Sequence, residues 1–124
     1  MTIMEILNHL DAVKPNGYSQ DEKIKWLNQV EWTIKKEIVD THEGADKIAF
    51  NGYNPTTSLA KEVIAKAPYD KLYIHWLEAQ IDYATGEYQK YHNSMTMFNE
   101  VYENYAKWYN REHMPVSHGG WKHW

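Results

Sequence analysis

From Tyr69 to Tyr109 the large apolar side chains return at helical spacing and keep to one sector of a helical wheel. The series runs Tyr69, Leu72, Tyr73, Trp76, Leu77, Tyr83, Ala84, Tyr88, Tyr91, Met95, Phe98, Val101, Tyr102, Tyr105, Trp108 and Tyr109. A stripe that long must be covered by other elements, and its period is helical, so it predicts an all-α chain. Pro68 fits the first helical turn, where its missing N–H costs nothing. The phase survives Gly86, and glycine inside a helix costs only about 1 kcal/mol. The pattern therefore predicts one long or kinked C-terminal helix. A break at Thr85-Gly86-Glu87, giving a helical hairpin, is the alternative. Gln80, Glu87 and Ser94 interrupt the stripe at seven-residue intervals, where polar residues either fix register or mark where the face becomes exposed.

Two further helices precede it. Thr2 with Glu5 reads as a capping box, and Ile3, Ile6, Leu7 and Leu10 follow on one face. Pro15-Asn16-Gly17 closes that helix. Ser19 with Glu22 reads as a second capping box, opening a helix with the stripe Ile24, Leu27, Val30, Ile34 and Ile38 and an end near Thr41. Trp32 falls on the opposite face, among Lys25, Lys35 and Lys36. It reads either as a lone surface aromatic or as a candidate contact for another subunit. Residues 43–67 are irregular. Asn51-Gly52-Tyr53-Asn54-Pro55 is dense in turn formers, and Leu59, Val63 and Ile64 predict one short helix capped at Thr57 or Ser58, with a short strand as the alternative. The expected organisation is one helical domain, a small bundle over residues 1–114, followed by a flexible tail, 115–124. The tail holds two more candidate partner contacts, Trp121 and Trp124, as aromatic anchors for a partner groove; the alternative is that both rings fold back onto the subunit's own helices.

Composition narrows function by exclusion. The chain has 124 residues, a size for one domain. It has no cysteine, which removes disulfides, thiolate-held metals and thiol catalysis. Its net charge is −4 and no basic block stands out, so a dedicated nucleic-acid grip is disfavoured. Six Trp and ten Tyr against two Phe hint at interfaces, because Trp and Tyr suit surfaces half apolar and half wet. The opening MTIMEILNHLDAVK lacks the basic and long apolar regions of a signal peptide, and no run approaches the roughly 20 apolar residues of a membrane span. Synthesis in the cytoplasm is the expectation.

Catalytic patterns do not emerge. His113, His118 and His123 are spaced by five, but neither HExxH nor a paired zinc-ligand spacing occurs. His75 and His92 read as ordinary helical side chains. Glu78 and Asp82 form an i, i+4 pair that reads as solvated. There is no GxSxG elbow, phosphate loop or GxGxxG. The expectation is a protein that is not an enzyme and needs no metal or cofactor.

Three stretches carry a resemblance: the turn Lys14-Pro15-Asn16 with Tyr18-Ser19, residues 23–44 (KIKWLNQVEWTIKKEIVDTHEG), and residues 67–115, above all PYD…LY…WLEAQIDY…GEY…YHNSMTMFN. Together they cover 76 residues. They resemble small virion structural proteins of tailed phages and prophages of Gram-positive bacteria, near the head–tail connector, or head-completion, proteins. That resemblance implies a helical adaptor forming a ring with itself in the virion neck, docked on the portal protein and meeting other neck components. It implies no catalytic residues, and at most weak, non-specific DNA contact. Another virion assembly role (minor capsid or tail-side completion) and a helical binding module outside phages are the alternatives. The aromatic end Trp121-Lys122-His123-Trp124 is not part of the resemblance.

Overall fold

The apolar stripe that follows Ser19 lies inside the fold. Ile24, Leu27, Val30 and Ile34, with Ile38 beyond them, are all buried. The computed structural model describes residues 1–116. Four α-helices carry the fold: α1 (Ile3–Val13), α2 (Gln20–Ile34), α3 (Lys71–Ala84) and α4 (Tyr88–Glu112). A π-helical turn, Lys35–Val39, prolongs α2, and a 3-10 turn, Ala45–Lys47, follows. Among the described residues there is no strand, only the isolated bridges Thr2–Glu62 and His42–Pro115. The chain is therefore all-α, as the periodicity predicts.

The caps form largely as read. Thr2 N–H donates to Glu5 Oε1 at 2.8 Å and Glu5 N–H to Thr2 Oγ1 at 3.1 Å, a complete capping box. At α2, Ser19 Oγ accepts from Glu22 N–H at 3.2 Å, and the reciprocal Glu22 bond is not made.

α3 is the middle element, packed against α4, α2 and α1. It accordingly buries more than one face: Leu72, Tyr73, Ile74, Leu77, Ala79, Ile81 and Asp82. Pro68 follows a cis peptide bond and precedes α3, which starts only at Lys71.

The single long helix is not formed; the hairpin is. Gly86 has φ +80°. Glu87 N–H donates to Asp82 C=O at 2.8 Å and Gly86 N–H to Tyr83 C=O at 3.1 Å, the two bonds of a Schellman stop. The wheel stays in phase because both helices turn their stripes to the seam between them. Folding back lets Trp76 meet Phe98, with ring centroids 5.3 Å apart, burial that one straight helix would forgo. Ser94 Oγ donates to Asp82 Oδ2 across the turn at 3.0 Å, whereas Glu87 is exposed. Tyr83, placed in the stripe by the wheel, is 59% exposed, because the seam has ended before it.

The short helix expected around Leu59–Ile64 is also absent. That backbone is spent elsewhere. Lys61 C=O accepts from Ile3 N–H at 3.0 Å and Leu59 C=O from Met4 N–H at 2.9 Å, satisfying donors that open α1. At the other end, Glu43 N–H donates to Met114 C=O at 2.8 Å and Val116 N–H to Thr41 C=O at 2.9 Å. Residues 115 and 116, assigned to the tail by sequence, thus pair with the stretch after α2. Trp121 and Trp124 lie outside the described residues.

Candidate interaction surfaces

One buried acid holds the irregular middle of the chain. Glu31 is 0% exposed. Its Oε1 accepts from Tyr73 Oη at 2.6 Å, and its Oε2 from Tyr53 Oη at 2.6 Å and Ile64 N–H at 3.0 Å. Tyr73 Oη in turn accepts from Ala65 N–H at 2.9 Å. Burial pushes the Glu31 carboxyl above its ordinary range, against the lowering effect of these donors. Burial, and then the carboxylate beside them, push both phenols up, so both stay protonated and donate. The cluster ties α2 to α3 and to the 53–65 segment. The sequence does hold a signal for it: Glu31 sits four residues after Leu27 and three before Ile34, inside the apolar stripe.

Trp32 is not a free surface ring. It is half-buried, its ring edge-on to Phe50 at 4.7 Å, and Phe50 meets Tyr53 at 4.8 Å. Gly52 passes close beneath, where a Cβ would lie 3.4 Å from Trp32 Nε1 and 3.3 Å from Asn28 Oδ1. Lys36 Nζ lies 5.4 Å from the ring centroid. Trp32 thus anchors the 50–53 loop, and a partner would meet only what that packing leaves open.

Two aromatic surfaces stand at opposite ends of α4. At the α3–α4 turn, Tyr83 and Tyr88 are 59% and 57% exposed. Tyr83 packs edge-on to Tyr88 at 5.5 Å and to Tyr91 at 5.2 Å, forming a preformed knob. At the far end, Tyr69, Tyr105 and Trp108 pack with centroids 5.5–5.9 Å apart, and His113 stacks on Tyr109 at 3.9 Å. With Ile48, Ile64, Lys66 and Ala67 they line a cleft of about 250 Å³. Tyr109 Oη is buried with no hydrogen-bond partner among the described residues. Sequence reasoning named these aromatics as one stripe and missed that they divide into a knob and a cleft.

Among the described residues, the other titratable groups named from the sequence pair locally. His75 Nδ1 lies 3.1 Å from Glu78 Oε1. Asp82, read as solvated, is instead 1% exposed and faces Lys14 Nζ at 2.7 Å. Among the described residues no three His, Asp or Glu side chains are grouped to hold a metal ion, and no helix is long and apolar enough to cross a membrane. His118 and His123 lie outside the described residues.

No protein-family model matches the chain, and comparison with curated proteins and with solved structures finds no match.

Proposed function

We propose that the chain is a structural subunit of a tailed-phage virion, a head–tail connector adaptor that forms a ring in the neck. It docks on the portal protein, helps complete the head and presents a surface to the next neck component. It is made in the host cytoplasm and reaches the virion by assembly. The observation that carries this reading is the pair of unlike aromatic surfaces at the two ends of α4. About 20 residues at 1.5 Å each separate Tyr88 from Trp108, or ~30 Å. A subunit with two different sticky ends can meet neighbours through heterologous contacts, the kind that generate rings. The sequence resemblance of residues 23–44 and 67–115 supports the same reading. DNA passing through such a ring needs no base readout, so any affinity is weak and falls steeply with salt.

The test is binding to the portal protein encoded in the same gene block. The purified chain should co-sediment with portal rings and add density at the channel exit in electron micrographs. A folded chain that stays unbound over a range of salt would remove the connector reading. Portal and major capsid genes beside the coding sequence would support the broader virion class on their own.

A further inference from the structure

The sequence holds two Asn-Gly pairs, Asn16-Gly17 and Asn51-Gly52. In such a pair the glycine nitrogen can reach the asparagine side-chain carbonyl carbon, because glycine has no Cβ to block the approach. The fold treats the two pairs differently. Asn16 is held at both ends of its amide. Its Nδ2 donates to Asp11 Oδ1 at 3.2 Å and to Lys14 C=O at 2.9 Å, and its Oδ1 accepts from Tyr18 N–H at 3.1 Å. Asn51 is exposed and lies outside every helix. Among the described residues, neither its side chain nor the Gly52 N–H makes a hydrogen bond; the bonds of this loop begin at Tyr53 and Asn54.

The structure assigns Asn51 as a site of spontaneous deamidation, through a cyclic imide with the Gly52 nitrogen, whose isoaspartyl product loosens the loop that Trp32 anchors. The Gly52 nitrogen gives up its proton and forms a bond to Asn51 Cγ. The Cγ–Nδ2 bond breaks, and the side-chain nitrogen takes up a proton and leaves as ammonia. Water then opens the imide. Cleavage at Cγ leaves aspartate. Cleavage at the main-chain carbonyl leaves isoaspartate, in which Cβ has become part of the backbone. Either product adds one carboxylate, and water is the only co-reactant.

Residue 51 has little slack on either side. Phe50 is buried, its ring edge-on to Trp32 at 4.7 Å. Gly52 has φ +96°, and a Cβ there would lie 3.3 Å from Asn28 Oδ1. Tyr53 N–H donates to that same oxygen at 2.8 Å. An extra methylene between Phe50 and Gly52 must displace one of these contacts, whereas aspartate leaves the backbone length unchanged.

The experiment incubates the full chain in mildly alkaline buffer, folded and again in urea. The exchange of ammonia for water is followed by mass spectrometry of the peptides that hold Asn16 and Asn51. In the folded chain Asn51 should convert at least about tenfold faster, because Asn16 must first give up three hydrogen bonds. In urea both pairs are free and the gap should close. Equal rates in the folded chain overturn the assignment. A gap that persists in urea overturns its structural cause. Anion exchange then separates aged from fresh chains, and a protease that cuts before aspartate but not before isoaspartate sorts the products. The isoaspartyl chain should exchange amide hydrogens faster than wild type at residues 50–53. The variant Asn51→Asp, with the charge but not the extra methylene, should exchange like wild type. An isoaspartyl chain that also exchanges like wild type, or an Asn51→Asp chain that matches the isoaspartyl one, overturns the link to the Trp32 loop.

Discussion

Tyr73 Oη lies 2.6 Å from Glu31 Oε1, joining the buried face of α3 to the buried face of α2. The same hydroxyl accepts Ala65 N–H at 2.9 Å, whereas Tyr53 Oη, also 2.6 Å from the carboxylate, donates to Glu31 alone. Tyr73→Phe should therefore cost more than Tyr53→Phe. The first loses a bond to a charged group and leaves a backbone donor unsatisfied, about 2–4 kcal/mol; the second loses only the former, about 1.5–3 kcal/mol. Urea unfolding of both variants measures the order, and equal costs would mean that Ala65 finds another acceptor.

Glu31 also sets a pH dependence. Burial raises its folded-state pKa above the ordinary 4.5, so the folded chain holds this proton more tightly than the unfolded one. The resulting stability is complete below the unfolded value, about 4.3, and is lost as pH rises through the folded value. Wild type should lose stability relative to Glu31→Gln as pH climbs from about 4.3 to neutrality. Unfolding midpoints of the two proteins measured across that span should converge or cross, and parallel curves would contradict the raised pKa.

Gly86 stops α3 with φ +80°, and no atom lies within 4 Å of where a Cβ would stand. Gly86→Ala therefore meets backbone strain but no clash, and should cost about 1–2 kcal/mol. Ser94→Ala, which removes the bond to Asp82 across the turn, should cost about 0.5–1.5 kcal/mol. Thermal melts of the two variants check both. A neutral Gly86→Ala would mean that the chain turns by some other conformation.

Leu27 and Ile34 are fully buried, so Leu27→Ala and Ile34→Ala should each cost about 2–5 kcal/mol. Trp32→Ala should also destabilise the lone subunit, because the edge-on contact with Phe50 is worth about 0.5–1.5 kcal/mol beyond buried area. Hydrogen exchange should quicken at residues 50–53 in that variant while the α1 amides stay protected. Unchanged exchange at 50–53 would return Trp32 to the surface.

Features that depend on neighbours along the chain were legible before any fold was known. The boxed cap at Thr2, the cap at Ser19, the stripes of α1 and α2 and the all-α class follow from residues within a turn or two of one another, where period and capping chemistry act. Tertiary structure alone decided the rest. The wheel ran unbroken through Gly86, yet the chain folds back there, because a hairpin buries Trp76 and Phe98 against each other and one straight helix would not. Leu59 and Ile64 carry helical spacing, yet their backbone forms a turn and a bend, because the first N–H groups of α1 and the carboxylate of Glu31 take up its hydrogen bonds. Tyr83 shares a sector with Tyr105 on the wheel, but one is exposed and the other buried, since the wheel gives direction and not the extent of the partner surface. A one-dimensional pattern records which side chains share a face. Which faces meet, and where the contact stops, depends on residues far apart in the chain, and so the knob and the cleft became distinct only in three dimensions.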